Sequence, residues 1–404
     1  MISLNQKRRV GLLFLSYISM KPLYLLQLSF LFICIACHYN KTAIVENGDI
    51  TCIDIDSCII TKSNGKHRFL KLETTKDCLI AQIERMEFDD NKIFIKDSNK
   101  KIFVFDEQGK FLNTIGQIGP GPDEQYTIFD FYLDKNKKRI GIIDIFKSVL
   151  FFYSYSGDLL EKKNVNSNIF KNFSHIYMAD DHALILVKEN SMESKYNFSL
   201  VSGNNYDNVD NFVPYLFIGE KWPQSEGSIT IAQSKGKIYM TALISDTIYR
   251  YEPKTKKIVP DIVFKGKYRP MTKKDVEGKT LKIGLDALRT AKEKKLSYGI
   301  SDLSMTKEYL TFIAQDYNSL NRIIWNLETK KGYRTQPADE SMFHNFLYYN
   351  FLAYQVAATD DAFICVIPAE QFILADWTGN ESAKNVAENT LEDDNPVIVF
   401  YYVE

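Results

Sequence analysis

Apolar residues in this chain cluster in short runs separated by brief polar or glycine-bearing turns, the pattern of strands joined by tight reversals. The pattern repeats. Residues 93–116 read IFIKDSNKKIFVFDEQGKFLNTIG and residues 140–165 read IGIIDIFKSVLFFYSYSGDLLEKKNV. In each, an apolar strand ends in an aspartate (Asp97, Asp144), a second strand follows a polar turn, and a glycine turn (Gly109, Gly157) leads into a third. Weaker copies follow as ALILVKEN (183–190) with YNFSLVSGNN (196–205), then KIYMTALISDTIYRYEPKTKKI (237–258) with Asp246 between its strands. YLTFIAQDYNSLNRIIWNLETKKG (309–332) and AFICVIPAE (362–370) complete the series. The copies start near 93, 140, 184, 238, 310 and 363. A period in the forties with about four short strands per unit is the signature of a propeller blade. The expectation is an all-β, six-bladed β-propeller.

The long interval between the fourth and fifth copies marks a short helical insertion near 270–296. GKTLKIGLDALRTAKEKKL (278–296) has helical spacing, with Leu281, Leu285, Leu288 and Leu296 near one face, although Gly284 weakens it. Residues 265–295 hold eleven Lys or Arg against four acids, so a basic docking surface is the alternative to a helix packed on the rim. A second helix-like stretch, MFHNFLYYNFLAYQVA (342–357), reads as packing on the body. A ring must also close. The terminal run NPVIVFYYVE (395–404) is the closing strand, and IVENGDITCIDI (44–55) and HRFLKLET (67–74) are its candidate partners.

The N-terminus has a different character. MKPLYLLQLSFLFICIAC (20–37) has a basic start at Lys21 and an apolar stretch of signal-peptide length. It reads as a signal peptide over residues 1–36, with Met20 as an alternative start. Residues 37–66 form a tether with the first strands, and 67–404 the propeller. Ala36-Cys37 resembles a lipobox, which places a lipid on Cys37 and anchors the chain to a membrane of the cell envelope, on its periplasmic side or at the cell surface. Cys34 replaces the usual leucine; an ordinary signal peptide or an uncleaved anchor helix are the alternatives. Removing the leader removes Lys7, Arg8, Arg9 and Lys21 and no acids, taking the formal net charge from -1 to -5. No basic field points to nucleic acid. Cys52, Cys58, Cys78 and Cys365 lack paired zinc spacing and read as buried free thiols; the alternative, a Cys52–Cys58 disulfide, needs a turn at Asp54–Ser57.

Residues 70–131 resemble the opening blades of the six-bladed β-propeller lipoproteins of Bacteroidetes. The resemblance rests on Leu72-Glu73-Thr74, Leu79-Ile80, Ile83, Ile93–Asp97, Val104–Asp106, Gly109–Phe111, Gly119–Pro122, Glu124 and Asp130-Phe131. It returns in the terminal DDNPVIVFYYVE (393–404) and is weak from 170 to 360. Asp123 and Gln125 depart from the family's usual Gly and Tyr, and PADESMFHNF (337–346) differs from its acidic stretch before the last blade. The resemblance implies an exported propeller and carries over no catalytic residue.

Candidate chemistry is sparse. The glycine-rich loop GQIGPGPDEQY (116–126) fails both phosphate templates. No Lys-Ser/Thr follows its last glycine, Glu124 stands where a dinucleotide loop needs its third glycine, and TIFDFYL (127–133) reads as a strand. Pro120 and Pro122 also remove amide donors. The loop reads as a crossover between blades, with Asp123, Glu124 and Gln125 as candidate ligand contacts at the propeller mouth. Asp97, Asp144 and Asp246 read as turn caps, with a carboxylate ring for a cation or sugar as the alternative. Asp89-Asp90-Asn91 and Asp134-Lys135-Asn136 lack the rest of a calcium loop and read as turns. His38, His67, His175, His182 and His344 are scattered, no nucleophile motif is present, and no metal or cofactor is expected. The first functional expectation is a monomeric module binding an unidentified envelope protein or a glycan. The alternatives are a carbohydrate-active enzyme (glycoside hydrolase or lyase) with carboxylates in the central funnel, and a purely structural envelope component. Carboxylates converging on the channel beside an Arg or His would favour an enzyme; a broad apolar or aromatic mouth would favour a partner.

Overall fold

The computed structural model describes residues 50–62, 65–189, 193–216, 231–277, 284–317, 320–336 and 355–403. Cys37 with its leader, and 342–354 of the aromatic-rich stretch, lie outside the described residues. Three N-terminal strands, β1 (Thr51–Asp54), β2 (Ile59–Lys62) and β3 (Lys66–Lys71), precede the blades. Blade 1 comprises β4 (Ile83–Asp89), β5 (Lys92–Asp97), β6 (Ile102–Asp106) and β7 (Phe111–Ile115). Blade 2 comprises β8 (Phe131–Asp134), β9 (Arg139–Asp144), β10 (Val149–Ser154) and β11 (Leu159–Asn164). Blade 3 holds β12 (Phe173–Asp180), β13 (Ala183–Lys188), β14 (Tyr196–Ser202) and β15 (Asn208–Pro214). Blade 4 holds β16 (Ile231–Ser234), β17 (Lys237–Thr241), β18 (Thr247–Glu252) and β19 (Lys257–Lys265). Blade 5 holds β20 (Ser297–Met305), β21 (Tyr309–Asp316), β22 (Leu320–Asn326) and β23 (Gly332–Gln336). Blade 6 joins β24 (Gln355–Ala358), β25 (Phe363–Ile367) and β26 (Val397–Tyr402) to β3 as its outer strand.

The repeats visible in the sequence begin at the second strand of each blade. Each of these strands is apolar because it is buried between its own sheet and the next. The core is accordingly a ring of wedges between neighbouring blades. Phe94, Val104, Phe131 and Phe151 fill the wedge between blades 1 and 2, and Phe264 and Phe312 meet between blades 4 and 5.

Ring closure unites the segments that carried the family resemblance. β26 pairs antiparallel with β3, Val399 opposite Phe69. Buried Asn395 knits the seam beside it: its Oδ1 accepts from the Ile80 amide at 2.8 Å, and its Nδ2 donates to Glu73 O at 2.7 Å and Cys78 O at 2.8 Å. The Glu73 carboxylate accepts from the Phe111 amide at 2.8 Å, and the Glu73 amide donates to Gly109 O at 2.7 Å. Leu72-Glu73-Thr74, Gly109–Phe111 and Asn395 are thus one junction. The other N-terminal candidate has a different place. β1 lies parallel to β19 outside blade 4, and β2 parallel to β23 outside blade 5. The N-terminal segment therefore wraps blades 4, 5 and 6 in turn and covers edges that would otherwise be open.

The insertion contains α1 (Lys273–Val276) and α2 (Gly284–Lys294). Gly284 is the first residue of its helix, where it costs less than in the interior. Ala287, Ala291 and Leu296 pack with Met271 and Val276 against Ile244. Residues 355–357, read as helical, are instead part of β24, because a complete blade needs an innermost strand. Two helices without a repeat signal, α3 (Ala369–Leu374) and α4 (Glu381–Glu388), interrupt blade 6, and Asn380 caps α4 by accepting from the Ala383 amide at 2.9 Å. Cys52, Cys58, Cys78 and Cys365 are all free, but only the last three are buried, Cys52 being half-exposed on an outer strand; burial pushes the Cys58 and Cys365 thiols up to about 12.

Candidate functional site: the channel and the crossover face

The innermost strands surround the central channel, and their polarity is uneven. Blades 1 to 3 contribute charged side chains, notably Glu84, Arg85, Glu87 and His175; blades 4 to 6 contribute Ile231, Ala232, Met305 and Ala357. The free space is about 100 Å³, enough for a few ordered waters.

The charged half is internally paired. Buried Arg85 donates to Asp130 Oδ2 at 2.6 Å and to Glu87 Oε1 at 2.8 Å, with Tyr177 stacked 4.3 Å from its guanidinium carbon. Asp130 Oδ2 also accepts from the Ile176 amide at 2.9 Å, while Arg85 donates to the Ile176 carbonyl at 2.9 Å. One peptide of blade 3 is therefore held by an arginine of blade 1 and an aspartate entering blade 2. His175 Nδ1 stands 3.5 Å from Asp130 Oδ2, beyond a well-formed hydrogen bond. Burial opposes ionisation of Asp130, but Arg85, His175 and Lys96 outweigh it and hold the carboxyl down at about 2. Burial likewise opposes ionisation of Glu84, and Lys96 and Lys100 overcome it, keeping that carboxyl below its usual range. Burial pushes the Tyr177 hydroxyl well above its ordinary value.

Two carboxylates, Glu84 and Glu87, thus line the channel beside Arg85 and His175, with that of Asp130 buried behind them. Each is paired with cations, and Glu84 and Asp130 are driven towards the ionised form. Acid–base glycoside cleavage needs the reverse, one carboxyl kept protonated near neutrality. Among the described residues no group of three or more His, Cys, Asp and Glu is placed to hold a metal ion.

The crossovers between blades and the turns between second and third strands share one face, the crossover face. The loop 116–126 is tightly cross-braced there. Glu124 lays its carboxylate across the glycines, accepting from the Gly121 amide at 2.7 Å and from Gln117 Nε2 at 2.8 Å. A Cβ on Gly119 would come within 2.1 Å of that carboxylate, which explains the glycine. Gln125 is fully buried, its Oε1 accepting from the Gln117 amide at 3.1 Å and its Nε2 donating to Tyr153 Oη at 2.5 Å. Asp123 is exposed and pairs with Lys162 at 2.7 Å.

Asp144 joins this loop to the turn beside it. Its carboxylate accepts from the Tyr126 amide at 2.6 Å and the Phe146 amide at 3.0 Å. Lys147 Nζ donates to Gly121 O and Glu124 O, both at 2.6 Å. On this brace three apolar side chains face outward: Ile118, Tyr126 and Phe146, the last 71% exposed. Asp97 is the counterpart of Asp144 in blade 1, accepting from Ala81 and Lys101 amides at 3.3 and 3.0 Å. Asp246 differs. It immediately precedes β18 instead of ending β17, and its carboxylate accepts from Thr247 Oγ1 at 3.1 Å. Asp90 and Asn91, with φ of 53° and 56°, form a tight hairpin turn.

Sequence reasoning missed Arg85 and gave His175 no role, because both sit on innermost strands whose mixed polar and apolar pattern, IERMEFD and FSHIYMAD, hides which positions face the channel. Asp130 was visible only as part of a family motif, without a role.

Six four-stranded sheets closed around a channel define a six-bladed β-propeller. The chain belongs to the family described as Domain of unknown function (DUF4934), which matches residues 61–402. None of the curated proteins compared with it matches. Among solved structures, it resembles a Bacteroides fragilis protein whose name describes it in terms of export, with 18% identity, 87% of this chain and 99% of that one covered, and a TM-score of 0.66. A DUF4221-family member from Bacteroides vulgatus has 10% identity, coverage of 85% and 99%, and a TM-score of 0.48.

Proposed function

We propose that this chain is an exported, lipid-anchored propeller that binds a protein partner at the cell envelope through its crossover face. The observation that carries the reading is the braced platform. Ile118, Tyr126 and Phe146 are large, exposed and apolar, and they project from a loop and turn locked by Asp144, Lys147 and Glu124. Apolar groups held rigidly in water lose little conformational entropy on docking, which favours affinity. Asp123 supplies a rim charge beside them. Export is supported by the leader over 1–36, by Cys37 after Ala36, and by the name of the Bacteroides fragilis neighbour.

The test is co-purification of envelope proteins with the full chain and with the double variant Tyr126→Ala, Phe146→Ala. Both side chains are exposed, so the variant should melt near the parent temperature and lose its specific partner; an unchanged set of partners would refute the reading. Fatty-acid labelling should be present in the parent and absent in Cys37→Ala. The second reading, a carbohydrate-active enzyme, draws on Glu84 and Glu87 lining the channel beside Arg85 and His175. Turnover of any envelope glycan, lost in His175→Ala, would establish it.

A further inference from the structure

Charge is unevenly spread over this ring. Residues 265–295, from the end of β19 through the crossover to blade 5, hold eleven Lys or Arg against four acids, a formal +7. The whole chain carries -1, so the remainder carries -8. The acids packed around the crossover do not cancel it. Asp54 and Asp56 lie beside the end of β19, Asp246 in the turn whose carbonyl bonds the Phe264 amide, and Asp316 opposite Ser297. Counting all four still leaves this corner with a surplus of three cations.

The fold buries the apolar side of the insertion and leaves the charged side out. Met271, Val276, Ala287, Ala291 and Leu296 are buried together against Ile244. The buried Asp275 carboxylate pins the insertion from within, accepting from Arg269 Nη1 and Nη2 at 2.7 Å each and lying 3.4 Å from Lys294 Nζ. That contact ties α1 to the C-terminal end of α2, and so fixes Lys273, Lys274 and Lys295, its neighbours in the chain, at one corner. Lys265, Lys267, Lys273, Lys274 and Lys295 are exposed, and none makes an ion pair among the described residues. Half-buried Tyr268, between Lys267 and Arg269, packs edge-on against Tyr317 with ring centres 4.7 Å apart. Unpaired lysines around partly covered tyrosines suit a surface that meets lipid headgroups.

The point where the tether enters brings this corner towards a membrane. Thr51 of β1 lies opposite Ile262, three residues, about 10 Å, before Lys265. The fourteen residues from Cys37 to Ile50 reach at most about 50 Å. A lipid on Cys37 therefore holds the blade 4 corner near the bilayer, while the platform of Tyr126 and Phe146 stands three blades away around the ring.

We propose that this basic corner docks on the headgroups of anionic phospholipids, as a second contact beside the lipid on Cys37. The inference rests on the anchored reading. A tether alone leaves a domain free to tumble, whereas each lysine near an anionic surface contributes about 1 kcal/mol, so five of them orient it. Docked in this way, the ring turns the junction of blades 1 and 2 away from the bilayer, where a protein partner can reach it.

The experiment is co-sedimentation of the full chain carrying Cys37→Ala with phosphatidylcholine vesicles and with vesicles containing about one third phosphatidylglycerol. No lipid is then attached, so the result does not depend on whether Cys37 is the anchor, which fatty-acid labelling decides separately. Partition onto the anionic vesicles should exceed that onto phosphatidylcholine at least about tenfold, and the difference should vanish in about 0.5 M salt. The triple variant Lys273→Glu, Lys274→Glu, Lys295→Glu should lose at least about tenfold of that partition. The control Lys254→Glu, Lys256→Glu, Lys257→Glu reverses three exposed lysines at the other end of β19 and should stay within about twofold of the parent. Glutamine at the same three insertion positions serves where charge reversal lowers the melting temperature. Equal partition onto both kinds of vesicle, full partition in the insertion variant, or an equal loss in the control would overturn the proposal; a corner that takes an acidic protein instead would give the first of these results.

Discussion

Asp130 shows most directly how single residues hold this ring. It accepts from Arg85 and from the Ile176 amide, so three blades meet on one carboxylate. Asp130→Asn should cost about 3–5 kcal/mol, because it leaves the Arg85 charge buried and poorly paired. Folding depresses the carboxyl from its ordinary 3.8 to about 2. Its contribution, about 2 kcal/mol, is therefore complete above about pH 4 and lost as pH falls through 2. Urea unfolding at steps from pH 5 to pH 2 should show that loss in the parent and a flatter profile in the variant. Parallel profiles would show that Asp130 does not govern acid sensitivity. The same scale accounts for Gln125: the residue stands out in the sequence, and its amide is spent inside the loop on the Gln117 amide and Tyr153.

Among elements, strands were legible in proportion to their burial. β5, β9, β13 and β25 are buried almost throughout and announced themselves as apolar runs. β4 reads IERMEFD with mixed exposure, because its channel-facing positions need not be apolar. The inner strands that carry the channel groups are therefore the ones that periodicity hides. The glycine turns were legible for a firmer reason. Gly109 has φ of 83°, and a Cβ there would lie 2.3 Å from the Lys71 carbonyl oxygen at the end of β3. Gly109→Ala should cost about 2 kcal/mol or more, from backbone strain and from displacement of β3. Thermal melting of the variant checks this, and a cost below about 0.5 kcal/mol would mean that the seam can yield.

At the scale of the molecule, stability depends on one seam. β3 and β26 are separated by most of the propeller sequence, and Asn395 binds the chain's beginning to its end through Thr74, Glu73, Cys78 and Ile80. Removing 395–404 deletes a strand lying between β25 and β3, so the variant should lose its cooperative transition altogether. Asn395→Ala should keep the fold at a cost of about 3 kcal/mol, since it leaves several buried backbone groups unpaired. Differential scanning calorimetry distinguishes the two outcomes, and an unchanged transition in the truncation would contradict closure by β26. The sequence alone determined the repeat, its period and hence the six blades, because burial between sheets imposes apolar strands wherever a blade occurs. Only the tertiary structure decided which residues face the channel and where the N-terminal strands attach. Those outcomes depend on which blades become neighbours in the closed ring, information that is non-local along the chain.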